Sequence, residues 1–221
     1  MVFSLTGTNV ACAFCAIGAA SRVSDGGHCP MVDRRRASGS LLYVAGTAAD
    51  TVYYVKHGAV ALSRGSNEKQ GEDAPYAVRH AGSLIGLEAL LQPMYLDSAR
   101  AVTDVTLCGT SRQQMHAWLE QMGTARVVLD CVLATIAGDN AGRATTDGNA
   151  PQRVARWLLD SSKQRRLPRS ILAGLLGMKP ETLSRALAAI AKTGSINLTR
   201  TRIDVRDAGR LEAIANGTAQ A

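Results

Sequence analysis

The hydrophobic period of this chain changes once, near Arg112, and that change limits the possible folds more than any other feature. From Leu41 to about Cys108, short β-type runs alternate with turn signals at Gly46, Gly58, Gly65, Gly71, Gly82 and Gly86. The runs are Leu41 to Val44, Val52 to Val55, Ala59 to Ser63, Tyr76 to Val78 and Val105 to Cys108. Their even spacing predicts a small antiparallel β-roll or jelly roll. The polar segment Arg64 to Ala74 reads as a solvent-exposed hairpin loop within it. From Arg112 onward, Leu119, Met122, Arg126, Leu129, Leu133, Ile136 and Asn140 recur at steps of three or four. One long amphipathic helix is expected there. Its narrow, near-heptad seam, with Leu129, Leu133 and Ile136 at the centre, favours pairing with an identical helix, although packing on its own β-roll is the plainer alternative.

Two further regions flank this pair. Residues 1–40 are rich in small residues, carry Cys12, Cys15 and Cys29 and the run Arg34-Arg35-Arg36, and read as irregular. At the other end, Ala141 to Ala150 is small and polar, holds two glycines and precedes Pro151, so it marks a domain boundary. Beyond it a helix is expected from about Gln152 to Ser161. A second short helix spans Ser170 to Leu176, a turn occupies Gly177-Met178-Lys179, and a third helix runs from Pro180 to Lys192 with Pro at its first position. Two helices joined by a turn containing Gly form the helix-turn-helix pattern. Ile196 to Leu198 and Ile203 to Val205 flank Thr199-Arg200-Thr201-Arg202 as a two-stranded basic wing. The expected fold is α+β in four parts: a cysteine-bearing segment 1–40, a β-roll sensor domain 41–111, a dimerisation helix 112–141, and a winged helix-turn-helix 142–221.

Charge follows this division. Residues 1–150 hold 12 basic and 13 acidic side chains, net −1, whereas residues 151–221 hold 13 and 5, net +8. A balanced body joined to a basic module is the electrostatic footprint of a sensor attached to a nucleic-acid binder. No window approaches the uninterrupted apolar length of a spanning helix, so no membrane association is expected. Val10 to Ala20 lacks a basic leading region and does not read as an export signal. A cytoplasmic setting follows, in which five cysteines are thiols or metal ligands rather than a disulfide framework. There is no G-x-S-x-G, Walker loop or H-E-x-x-H, so no enzyme is expected.

Within the third helix of the basic module, Glu181, Ser184 and Arg185 fall at i, i+3 and i+4 and share one face near its N-terminal end, while Leu183, Leu187 and Ile190 lie elsewhere and can pack it down. A recognition helix must present such side chains to base edges, with Arg reaching guanine O6 and N7 and Glu accepting from cytosine N4. A merely structural account also exists: Glu181 suits a helix N-terminus and Arg185 can pair with it at i+4.

The order of these parts, carried by LLYVAGTAADTVYYVKHGAVAL (Leu41 to Leu62), AGSLIGLEALL (Ala81 to Leu91) and LAGLLGMKPETLSRALAAIAKTGSI (Leu172 to Ile196), resembles the Crp/Fnr family of bacterial transcription regulators. The resemblance implies a homodimer that binds a two-fold symmetric site on double-stranded promoter DNA and works with RNA polymerase. Glu181-x-x-Ser184-Arg185 is similar to the E-x-x-S-R pattern of the oxygen-responsive Fnr branch, implying a half-site like TTGAT, read as TTGAT-N4-ATCAA. Lys179 stands where Ser or Thr is usual. The wing residues Arg200 and Arg202 are expected on phosphates.

The cyclic-nucleotide branch needs a Glu for the ribose and an Arg-Ser pair for the phosphate, positions that align here with Leu87 and Tyr95-Leu96, one place from Glu88. A cyclic nucleotide is therefore not the expected effector, because a buried cyclic phosphate would lack a cation. The Fnr branch instead carries cysteines near its N-terminus and one on the last strand of the β-roll. Cys12, Cys15, Cys29 and Cys108 match, and four thiolates are what a 4Fe-4S cluster requires. Thirteen residues separate Cys15 from Cys29, more than the family's usual gap. Zinc, a thiol switch, haem or NO, or a small molecule are the alternatives, with His28 a substitute ligand, and Cys131 is expected only to pack. His57, His80 and His116 show no ligand spacing.

Overall fold

The computed structural model describes residues 15, 17, 31–64, 75–143, 147–160, 167–199 and 202–219. They separate into two compact units, residues 1–137 and 138–221.

The first unit is built on two four-stranded antiparallel sheets. One has the order β1 (Val32–Arg36), β8 (Val105–Ser111), β3 (Thr51–His57), β6 (Leu84–Ile85). The other has the order β2 (Leu41–Tyr43), β7 (Ser98–Ala101), β4 (Ala59–Ser63), β5 (Ala77–His80). Their inner faces share one core that includes Val52, Val55, Val60, Leu62, Leu84, Ile85, Val105 and Leu107. The β-roll is therefore present, and it starts earlier than expected. Residues 32–36 are not irregular: they form an edge strand in continuous register with β8, from Val32 opposite Gly109 to Arg36 opposite Val105. All five are exposed, so no alternation of apolar and polar residues announces them. The backbone ladder holds the strand, and a 3.5 Å ion pair joins its Asp33 to Lys56 on β3.

The helical part also departs from the single helix expected over 112–141. Ser111 caps α1 (Arg112–Leu119) by accepting from the Gln114 N–H at 3.1 Å, the chain turns at Glu120-Gln121, and α2 runs from Met122 to Arg143. The break follows from packing. Met115 and Trp118 on α1 are fully buried in the core, and α2 sets off again with Thr124 and Val128 against it. Among the described residues, no helix is long and apolar enough to cross a membrane.

The second unit begins with α3 (Ala150–Leu159), opened by a reciprocal capping box between Asn149 and Gln152 at 2.8 and 3.0 Å. Then come α4 (Arg169–Leu175), α5 (Pro180–Lys192), the hairpin β9 (Ile196–Leu198) and β10 (Ile203–Val205), and α6 (Ala208–Ala215). Val154, Trp157, Leu158, Leu172, Leu183, Leu187, Ile190, Leu211 and Ile214 make its core. The winged helix-turn-helix is thus in place, closed by α6 across α3.

Candidate DNA interface and sensor site

The turn between α4 and α5 depends on Gly177, whose φ of +57° lies in the left-handed region. Its N–H donates to Gly174 O at 2.9 Å, and that of Met178 to Ala173 O at 2.9 Å, which ends α4. Lys179 then takes the extended capping position without a side-chain hydrogen bond, and Pro180 opens α5 with its preset φ. On α5, Glu181, Ser184 and Arg185 are all exposed, while Leu183, Leu187 and Ile190 are completely buried. The division of faces expected from the sequence is the one found, and no Glu181–Arg185 ion pair forms among the described residues. In the wing, Arg202 is exposed and pairs with Asp204 through a 2.5 Å contact of Nε with Oδ1. Arg200 lies outside the described residues.

In the first unit the cysteines meet on one tyrosine. Tyr54 on β3 lies directly opposite Cys108 on β8, and Cys15 lies near its hydroxyl. Burial first, then the proximity of Cys15 and Cys131, pushes the Tyr54 hydroxyl far above its usual value. Cys15 and Cys108 are buried, and Cys131 on α2 is half-buried, its thiol pushed up to about 11 by burial and then by Cys15 and Asp130. Cys131 packs against the β-roll core as expected, and it also lies near Cys15. Its place on α2 against the β-roll core could not be read from the helical period, which marks only the exposed seam. Cys12, Cys29 and His28 lie outside the described residues. Among the described residues, no group of three or more His, Cys, Asp or Glu is arranged to hold a metal ion.

The segment between β6 and β7 holds Leu87, Glu88 and Tyr95-Leu96, the residues weighed above against a cyclic nucleotide. Gly86, with φ of +72°, leads into a short 3-10 helix, Leu87–Leu90, and a Cβ there would press on Thr51 O and the Tyr95 ring. Tyr95 is buried, stacks on Tyr43 at 4.1 Å, and its hydroxyl donates to Thr51 O at 2.7 Å. Leu96 is 58% exposed. Neither position offers a cation. The next residue, Asp97, is acidic: it accepts a short hydrogen bond from the Tyr76 hydroxyl and faces Arg64 Nε at 3.5 Å. Glu88 Oε1 is buried and accepts no hydrogen bond among the described residues.

Along α2, the seam residues Met122, Leu129, Leu133 and Ile136 are 86%, 56%, 54% and 49% exposed. An apolar stripe of this length is left uncovered in the single chain, on positions other than Thr124 and Val128, which pack inward.

Comparison with known proteins bears on both units. Residues 33–122 match the model of the cyclic nucleotide-binding domain, and residues 152–214 that of the Crp-like helix-turn-helix domain. The cyclic AMP receptor protein of Thermus thermophilus is 30% identical over 189 residues, which cover 82% of this chain and 87% of that protein. The chain belongs to the Crp/Fnr family of transcription regulators. A second member, the HTH-type transcriptional regulator Cmr of Mycobacterium tuberculosis, is 27% identical over 184 residues, 81% of this chain and 74% of that one. The crystal structure of a CRP-family regulator from Thermus thermophilus superimposes with a TM-score of 0.69, at 22% identity, over 85% of this chain and 98% of that one, which supports the fold. As a Crp/Fnr regulator the protein binds DNA. The matched domains and relatives are regulators rather than enzymes.

Proposed function

We propose that this Crp/Fnr regulator works as a homodimer that senses oxygen or a related redox signal through its cysteines and reads a palindrome of the TTGAT-N4-ATCAA type. The observation that carries the sensing half is the meeting of Cys15 and Cys108 at Tyr54, two buried soft sulfurs brought together from the N-terminal segment and the last strand of the β-roll. Soft sulfur suits iron-sulfur iron and zinc, and the donor chemistry fits a 4Fe-4S cluster whose remaining ligands would be Cys12 and Cys29. Such a cluster supplies chemistry that oxygen can disassemble. The chain's own contribution is to hold Cys15 and Cys108 beside α2, so that order at the thiols and the pose of that helix are linked. Leu129, Leu133 and Ile136 then pair two copies along their exposed stripe.

For the DNA half, Arg185 reads guanine, a role supported by its exposure beside Glu181 and Ser184 on the same face. Arg200 and Arg202 take phosphates from the wing, and RNA polymerase is the partner that the family implies. The reading without a cyclic nucleotide draws on Tyr95 and Leu96, neither of which supplies a cation where that branch needs an Arg-Ser pair.

The deciding experiment is anaerobic purification followed by iron and sulfide assay, a visible spectrum, and a gel shift on TTGAT-N4-ATCAA and scrambled duplexes before and after air. Iron and sulfide with air-sensitive binding supports the reading. Colourless protein with one zinc per chain would replace the oxygen mechanism with a zinc or thiol one. Binding that requires cyclic AMP would return the effector to the segment between β6 and β7.

A further inference from the structure

The exposed face of α5 does not stop at Arg185. Ala188 and Lys192 continue it at steps of three and four, with Ala186, Leu187 and Ile190 buried behind them. This second half of the face forms one wall of an open cavity of about 490 Å³, lined by Arg185, Ala188, Ala189, Lys192, Thr193 and Arg210. Arg210 comes from a different element, the first turn of α6. The Asp207 carboxylate fixes that turn by accepting the Arg210 N–H at 2.9 Å, which commits Asp207 to capping. Three of the six lining side chains are cations and none is acidic. Among the described residues, Arg185, Lys192 and Arg210 form no salt bridge. The apolar part of the lining is Ala188 and Ala189, and the Thr193 hydroxyl already donates to Ile190 O at 2.7 Å.

A lining of cations and alanines matches a DNA strand viewed from the side, which offers anionic phosphates and the apolar edge of deoxyribose. A free small anion would leave the alanines unused. Lys192 stands seven residues beyond Arg185, about 10 Å further along the helix axis, so a base contact at Arg185 and a phosphate contact at Lys192 do not compete. We propose that the cavity between α5 and α6 seats the phosphodiester backbone beside the bases read by α5, with Lys192 and Arg210 as its phosphate clamps. This assigns α6 to the DNA interface as well as to the core. It rests on α5 being the recognition helix.

The test uses the full chain, labelled TTGAT-N4-ATCAA and scrambled duplexes, and anisotropy titrations over a series of salt concentrations. Each phosphate contact contributes about 0.9 to the slope of log affinity against log salt. Arg210→Ala is expected to weaken both duplexes by a similar factor, about 10-fold for a dimer, and to flatten the slope by about 2. Arg210→Lys should restore the slope, which a purely structural role of the guanidinium would not allow. Phosphate ethylation interference should lose its signal at the flanking phosphates in Arg210→Ala while that at the other phosphates of the site persists. Should Arg210→Ala lower the melting temperature, Arg210→Gln, which keeps the stem and removes the charge, decides in its place. A wild-type slope and ethylation pattern in the charge-removing variant overturns the proposal. If the wild-type protein instead binds both duplexes equally, the sequence-reading role of α5 fails, and the slope on the scrambled duplex still judges Arg210. Wild-type protein with no affinity for either duplex removes both.

Discussion

Replacing Leu133 by Ala tests the pairing of α2 with a magnitude that follows from its exposure. Full burial of a leucine side chain is worth about 1.5 to 3 kcal/mol. In the single chain Leu133 is 54% exposed, so roughly half of that remains to be gained on pairing. Two symmetric copies double it, giving about 1.6 to 3.2 kcal/mol per dimer as an upper range, since alanine keeps one carbon. The dimer dissociation constant should therefore rise about 15- to 200-fold, read by sedimentation over a concentration series. Leu133→Asp should act more strongly, because two carboxylates would face one another out of water. Val128→Ala provides the control: Val128 is 5% exposed and belongs to the β-roll core, so its loss should lower the melting temperature and leave the dimer constant unchanged. A Leu133→Ala protein that dimerises like the wild type would refute the assignment of the stripe, whatever its stability.

Three other outcomes are expected. Arg185→Ala should cost about 1 to 3 kcal/mol on the specific duplex and much less on a scrambled one, and equal losses on both would turn Arg185 into a phosphate contact. Cys108→Ser should abolish the iron-dependent visible absorption of anaerobic protein as completely as Cys12→Ser, whereas Cys131→Ser should preserve it; loss of colour in Cys131→Ser would make that thiol a ligand. Burial, and then the Arg79 charge, hold the His80 imidazole below its usual value, so the folded protein binds fewer protons there than the unfolded chain. Stability from this group is present above about pH 6.5 and is lost as pH falls toward the lower folded value. His80→Gln should flatten the melting profile across that window, and an unchanged profile would remove His80 from the account.

Legibility in the sequence tracked how far each element's pattern depends on local spacing. α5 and the wing strands fall where their apolar steps and turn residues put them, because a Gly at the turn and a Pro at the first helical position are local signals. The strand at Val32–Arg36 was invisible, since its partner β8 supplies a ladder that no residue type in VDRRR requires. β6 and β7 were missed because Leu84–Ile85 is two residues long and Ser98–Ala101 carries an exposed Arg100 at a strand centre. The break at Glu120-Gln121 has no proline or glycine at the turn itself. It answers to Trp118, which must stay in the core while the next helix leaves along a new line. α6, capped by Asp207 and buried through Leu211 and Ile214, is absent from the expected elements.

The sensor was half legible for a related reason. Cys15 and Cys108 stand out only through the resemblance to the Fnr branch, which carries cysteines near its N-terminus and on the last strand of the β-roll. What spacing cannot express is that Tyr54, an ordinary strand residue in sequence, lies between them. Its register opposite Cys108 places a hydroxyl at the one point where the N-terminal segment, the last β-strand and α2 all supply sulfur. Cys15 and Cys131 are close enough for each to bear on the titration of its neighbours. If the thiols carry the signal, the shortest route from them to the exposed seam is one turn of helix, from Cys131 to Leu133 and Thr135, whose hydroxyl donates to Cys131 O at 2.9 Å. Sensing and pairing then occupy the two sides of one helix, which explains why the seam residues are apolar yet left out of the core.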